Sequence, residues 1–165
     1  MKLLIHDLQD DVFSALNVPQ EDITVFAAKG KFAPCVGCYK CWMKTPGQCY
    51  VKDGLQHVGA LFGKCDEAII ISENCYGGYS EAVKRVFDRS ISTSVLFFTY
   101  RGGMMHHIRR YKNPFALRVF MYGDITEAEK AVAQQMVKAN QNNIGCKEAT
   151  IDFMDKPEDI GELLQ

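Results

Sequence analysis

Apolar and polar positions alternate along this chain in blocks that read by turns as strands and helices. Lys2 to His6 is a short apolar run, and Ile23 to Ala28 is a second, rich in β-branched residues; both have strand length. Between them, Asp10 to Leu16 offers at most two helical turns before Pro19. Asp53-Gly54-Leu55-Gln56 has the form of a capping box, with Asp53 as N-cap and Gln56 at the third helical position. Leu55, Val58, Leu61 and Phe62 then make one apolar face, and Gly63 is the expected stop. Ala68-Ile69-Ile70-Ile71 is uninterrupted and apolar, the habit of a strand buried on both faces.

Ser80 is placed to cap a helix with Ala82, Val83, Val86 and Phe87 on one side. From Ile91 to Pro114 the pattern blurs. An apolar aromatic run (Val95 to Phe98), Arg101-Gly102-Gly103 and Met104-Met105-His106-His107-Ile108-Arg109-Arg110 read together as an excursion with little regular structure. Leu117 to Tyr122 is a fourth strand. Thr126 and Glu129 form a second capping box for a long amphipathic helix that ends near Gly145, with Ala128, Val132, Met136 and Val137 on its apolar face. Ala149 to Phe153 supplies a fifth strand, and Glu158 to Leu164 a last helical turn or two.

Strands alternating with helices imply right-handed crossovers and a parallel α/β sheet covered on both sides, a three-layer architecture. Five such strands fit the order 2-1-3-4-5. In that order a ligand binds beyond the carboxyl ends of the strands, near the switch between the first and third. Those ends are His6-Asp7, the residues after Lys29, Asn74 to Ser80, and Gly123-Asp124.

The 165 residues suit one domain spanning 1–165, with a core of ordinary size. A net charge of −1 gives no footprint for nucleic acid or an anionic membrane. The apolar stretch at the N-terminus is too short for a signal peptide and no run has the length of a membrane span, so the expected setting is cytoplasmic. There thiols stay reduced, and clustered cysteines mean metal or redox work more often than disulfide staples.

Four of the seven cysteines fall in one short window: Cys35, Cys38 and Cys41 at a spacing of three, then Cys49. Two-residue gaps let three thiolates wrap one face of a cubane, and a more distant fourth closes it. Structural zinc fits less well, because its ligands usually come as two separated pairs. The plainer alternative is small buried residues packing a tight loop. Trp42, beside Cys41, reads as core, interface or pocket wall. Adjacent His106 and His107 point in divergent directions without a nearby carboxylate, which suits a solvated or interface role. Asp88-Arg89 reads as an internal ion pair or cap, and Met104 and Met105 as interface or pocket lining.

Pro34 to Trp42, the segment Pro46-Gly47-Gln48-Cys49 with Lys52-Asp53, and Cys75 to Ser90 together resemble the NADPH-dependent FMN reductase and iron–sulfur flavoprotein branch of the flavodoxin-like superfamily. Members carry a cysteine-rich segment after the second strand and a turn of the form Pro-x-Tyr-x-Gly-x-x-Ser-x-x-x-Lys-x-Phe-x-Asp-Arg. This chain has Tyr76, Gly78, Lys84, Phe87, Asp88 and Arg89 in nearly that spacing, with Cys75 near the expected proline. The resemblance implies a flavodoxin-like fold. It also implies FMN at Asn74, Cys75, Tyr76, Gly77, Gly78, Tyr79, Ser80, Gly123 and Asp124, with Tyr76 or Tyr79 stacking on the ring. A [4Fe–4S] cluster would sit on Cys35, Cys38, Cys41 and Cys49, and NAD(P)H would be the co-substrate.

The family's flavin-binding members follow the first strand with a Ser/Thr/Gly/Asn-rich phosphate loop. Here His6-Asp7-Leu8-Gln9-Asp10-Asp11 stands in its place, and the nearest cationic supply is Arg101, Arg109, Arg110 and Lys112. The implied activity is NAD(P)H-dependent reduction of a quinone, a flavin or an iron–sulfur acceptor. The flavin performs the chemistry, so no catalytic side chain is assigned. Two alternatives are a non-enzymatic flavin or cluster electron carrier, and a binding module that has lost flavin. A homodimer through the 91–114 excursion is expected, with small-molecule donors and acceptors as the other partners.

Overall fold

The computed structural model describes residues 1–19 and 21–164. Five parallel strands form the central sheet in the order β2-β1-β3-β7-β8: β1 (Lys2–His6), β2 (Ile23–Ala27), β3 (Glu67–Cys75), β7 (Ala116–Tyr122) and β8 (Glu148–Met154). Alternation along the strands sends neighbouring residues to opposite cores. Leu3, Ile5, Ala68, Ile70, Leu117 and Val119 face one side. There they meet α3 (Val58–Lys64), α4 (Glu81–Arg89) and α5 (Glu127–Ile144) through Phe62, Val83, Val86, Ala133 and Val137. Leu4, Ile69, Ile71 and Phe120 face the other side and are covered by Leu8 and Leu16, which flank α1 (Asp10–Ala15), and by Ile160 and Leu164 in and beside the 3-10 segment Pro157–Leu163. Burying a side chain of this size stabilises by about 1.5–3 kcal/mol, so the continuous β-branched runs both select the strands and hold the layers together. No helix among the described residues is long and apolar enough to cross a membrane.

Helix ends follow local chemistry where that chemistry is complete. Thr126 and Glu129 form the full capping box of α5, and Gly145 closes the helix in the left-handed conformation at φ 67°. Ser80 accepts from the Val83 amide and caps α4.

The box expected at Asp53-Gln56 does not form. Helix α3 starts at Val58 without a side-chain cap, Gln56 accepts from the Gly54 amide, and Asp53 is engaged elsewhere. Gly63 does not stop α3, which continues to Lys64; a Cβ there would collide with the Tyr111 ring, so packing sets its identity.

The 91–114 excursion is largely ordered. After a 3-10 turn (Ser90–Thr93), β5 (Ser94–Arg101) and β6 (Met104–Arg109) pair as an antiparallel hairpin separate from the main sheet. Gly102 (φ 55°) and Gly103 (φ 79°) make its two-residue turn, where both central residues need positive φ. The arginines of this segment do not serve the sheet's carboxyl edge. Arg101 donates to the carbonyls of Asn142 and Asn143, and Arg109 to that of Gly145, so both satisfy the free carbonyls at the end of α5. Arg110 binds the carbonyls of Ser92 and Ser94.

Candidate functional site at the carboxyl edge of the sheet

Strand β3 runs past its parallel neighbours and folds back as a small hairpin. Asn74 and Cys75 pair with Tyr79 and Gly78 of β4 (Gly78–Tyr79), and the turn is Tyr76 (φ 54°) and Gly77 (φ 79°). Glycine is required at 77, because a Cβ would lie 2.7 Å from the Glu129 carbonyl oxygen of α5. Asn74 locks the turn: its Oδ1 accepts from the Gly77 amide at 2.8 Å, and its Nδ2 donates to the Asp124 carbonyl at 2.8 Å. The Ser80 amide donates to Ser72 Oγ at 2.8 Å and brings the chain back to the edge. The ends of β3 and β7 are thus fastened together, and Tyr76 projects from them with 87% of its surface exposed.

Tyr79 is turned inward. Its hydroxyl accepts from Asn140 and burial raises its pKa above the ordinary phenol range, so of the two tyrosines of this hairpin it is Tyr76 that offers a ring at the edge. The amides of Gly77 and Ser80, two of the residues at which the resemblance places FMN, are spent on Asn74 and Ser72. Gly123 has φ 97°, and a side chain there would find open space beside Glu73. Cys75 is exposed.

The loop after β1 is acidic in structure as well as in sequence. Asp7 bridges three strand ends: its Oδ2 accepts from the Glu73 amide at 3.0 Å, and its Oδ1 from the Tyr122 hydroxyl at 3.1 Å. Burial, then the charge of Asp7, raises the Tyr122 pKa. Asp10 opens α1 and pairs with Lys29 at 2.7 Å. That partner holds the Asp10 carboxyl below its usual range, so Lys29 is already paired. His6 is 2% exposed, stacks on Phe13 at 4.0 Å and has its pKa lowered to about 4 by burial and then by Lys29, so it is neutral at pH 7. Gln9 caps nothing with its side chain, and α1 has only six residues. These residues do not fit the phosphate of FMN.

The cysteine loop leaves β2 at this same edge but does not stay there. The Phe32 carbonyl accepts from Arg85 in α4, and the Ala33 carbonyl from Arg89 at that helix's far end. Nine residues of helix at 1.5 Å per residue carry the loop roughly 13 Å down the outer face. There Cys35, Cys38, Cys41 and Cys49 line one cavity of about 40 Å³, together with Trp42 and Arg89.

Arg89 is 1% exposed and uses all five of its N–H donors: on Asp53 twice, on the Ala33 and Val51 carbonyls, and on Cys49 Sγ at 3.0 Å. Asp88, the neighbour expected as partner, pairs instead with Lys84 one turn earlier. Burial, then the neighbouring Cys49, Cys35 and Cys38, raises the Cys41 pKa and keeps it a thiol. Such a cavity holds roughly two or three waters, and no three His, Cys, Asp or Glu among the described residues are placed to share a single metal ion. The donor chemistry suits a cluster, but the space as folded does not.

Trp42 is buried, donates Nε1–H to the Ile91 carbonyl at 3.2 Å and lies 4.4 Å from the His107 ring. His106 is buried rather than solvated. Between α4, α5 and the β5–β6 hairpin lies a cleft of about 560 Å³, walled by Tyr79, Phe87, Phe98, Met105 and Met136.

No protein-family model and no curated protein matches the chain in sequence. Solved structures do match its fold. An FMN-dependent NADH-azoreductase from Bacillus anthracis, in complex with FMN, aligns over 99% of this chain and 93% of its own at 12% identity, TM-score 0.55. An NAD(P)H:quinone oxidoreductase from Methanothermobacter marburgensis aligns over 99% and 94% at 12% identity, TM-score 0.58. The Trp repressor binding protein of Bacillus subtilis aligns over 97% and 90% at 14% identity, TM-score 0.52. At these identities the likeness establishes the flavodoxin-like fold.

Proposed function

We propose that this chain belongs to the NADPH-dependent FMN reductase and iron–sulfur flavoprotein branch and is a flavin-dependent NAD(P)H oxidoreductase. The observation that carries this reading is the exposed ring of Tyr76 on a turn that Asn74 pins to the end of β7, at the switch edge of a 2-1-3-4-5 sheet. The nature of two similar folds, an FMN-dependent NADH-azoreductase and an NAD(P)H:quinone oxidoreductase, supports it.

When bound, a flavin would supply electron transfer between NAD(P)H and a quinone, a second flavin or an iron–sulfur acceptor. This chain's part is placement. Asn74 holds the turn rigid, Tyr76 offers a face for stacking, and Gly123 with Asp124 leaves room for the ring beside it. Purified protein supplied with flavin should oxidise NADH or NADPH and pass electrons to an added quinone. Rates equal to a protein-free blank with flavin present would defeat the reading.

A second reading, as an electron carrier, is favoured by the convergence of Cys35, Cys38, Cys41 and Cys49 on one cavity. In that reading the four thiolates would hold a [4Fe–4S] centre, for which the loop as folded leaves little space. Anaerobic reconstitution with iron and sulfide decides it: four irons per chain, lost on replacing Cys49, against none.

The hairpin also presents Phe97, Phe98, Tyr100, Met104 and Met105 to solvent, an apolar surface of the kind that marks protein contacts. We read it as the homodimer surface of a cytoplasmic protein.

A further inference from the structure

We infer that the carboxyl edge selects flavin without its phosphate, so that riboflavin rather than FMN is the form it takes. The inference rests on the flavin reading above and sharpens it. A phosphate-binding loop offers unspent backbone amides at a helix N-terminus, and no competing anion. Here α1 has no side-chain cap, but the loop that leads into it is lined with competing carboxylates.

Asp7 sits where β1, β3 and β7 end, fixed from two sides by the Glu73 amide and the Tyr122 hydroxyl. It cannot swing away without leaving both donors unmet. Asp10 and Asp11 fill the first turn of α1, so the positive end of that short helix already faces carboxylates. Lys29, the cation at this corner, is held by Asp10 at 2.7 Å. His6 is buried against Phe13 and brings no charge. A phosphate dianion at this loop meets like charge from Asp7, Asp10 and Asp11, and the one opposite charge beside them, Lys29, is already paired with Asp10. The uncharged ribityl end of riboflavin can donate its hydroxyls to these carboxylate oxygens.

Quenching of flavin fluorescence by the protein, at low and at moderate salt, tests this with riboflavin and FMN as probes. Riboflavin should bind at least tenfold more tightly than FMN at low salt. The gap should shrink as salt screens the carboxylates, and should shrink several-fold in Asp7→Asn and Asp10→Asn. Asparagine keeps the size of the side chain, and thermal melts confirm that each variant folds.

The salt series on the unsubstituted protein tests the claim even where a variant fails to fold. FMN binding as tightly as riboflavin, or a preference indifferent to both salt and substitution, would overturn the inference while leaving the flavin reading intact. Binding of neither probe would overturn both.

Discussion

Arg89 in α4 and Asp53 in the cysteine loop, 36 residues apart, form a two-pronged ion pair with both arms at 2.9 Å. The arginine is buried and its other donors hold Ala33, Cys49 and Val51, so one side chain ties both limbs of the cysteine loop to the helix. Replacing Arg89 by methionine leaves the Asp53 carboxylate poorly solvated and unpaired. Breaking a buried pair in this way costs about 3–5 kcal/mol. Urea denaturation should show a loss of that size, with the loop becoming accessible to thiol reagents at Cys41 and Cys49 first.

The same pair sets the acid limit. Arg89 holds the Asp53 pKa down to about 2, against 3.8 for the free carboxyl. Its folded pKa is depressed, so its contribution is complete above pH 4 and is lost as pH falls through 2. Asp53→Asn should weaken the protein at pH 7 and flatten the acid limb of its stability profile between pH 4 and pH 2.

His6 acts over a higher window. Burial lowers its pKa from 6.5 to about 4, so the unfolded chain binds a proton that the folded chain refuses. Stability should fall as pH drops from about 6.5 to about 4 and level off below that, a loss on the order of 2–3 kcal/mol. His6→Gln should abolish this component, as read from urea midpoints at neutral and mildly acid pH.

Thr126→Ala removes one half of the α5 capping box. It should lower stability by about 1 kcal/mol while leaving flavin binding unchanged, since the Thr126 hydroxyl serves the Glu129 amide and carboxylate.

The hairpin surface gives a separate test. Phe97 and Tyr100 are exposed, so aspartate at both positions costs the fold little. Sedimentation should then show a dimer converted to a monomer with unchanged thermal stability. A wild-type protein that sediments as a monomer would remove the dimer proposal.

The sheet was legible in the sequence because its signals are local and mutually consistent. Continuous runs such as Ala68–Ile71 leave no other burial, and Thr126-x-x-Glu129 and Ser80 are complete caps within four residues. What failed to show depends on partners distant in the chain. Asp53-Gly54-Leu55-Gln56 has a capping signature, but a charge-assisted pair with Arg89 outweighs a cap, and nothing near Asp53 announces it.

The hairpin did carry a signal, Gly102-Gly103 between β-rich runs. Val95 to Phe98 lacks the strict alternation that would have exposed it. The position of the cysteines, down α4 and away from the edge where their loop begins, follows from the Arg85 and Arg89 contacts and has no counterpart in spacing. The acid after β1 was visible; its bridging of β3 and β7 through Asp7 was not.

The most direct measurement is chemical-shift mapping of the isotope-labelled protein on titration with riboflavin. Backbone resonances of Asn74 through Ser80, with Gly123 and Asp124, should move together and saturate at one flavin per chain, and Tyr76→Ala should weaken the effect several-fold. Shifts that gather instead around Phe87, Phe98 and Met136 in the α4–α5 cleft, or no shifts at the strand ends at all, would contradict a flavin site at the carboxyl edge.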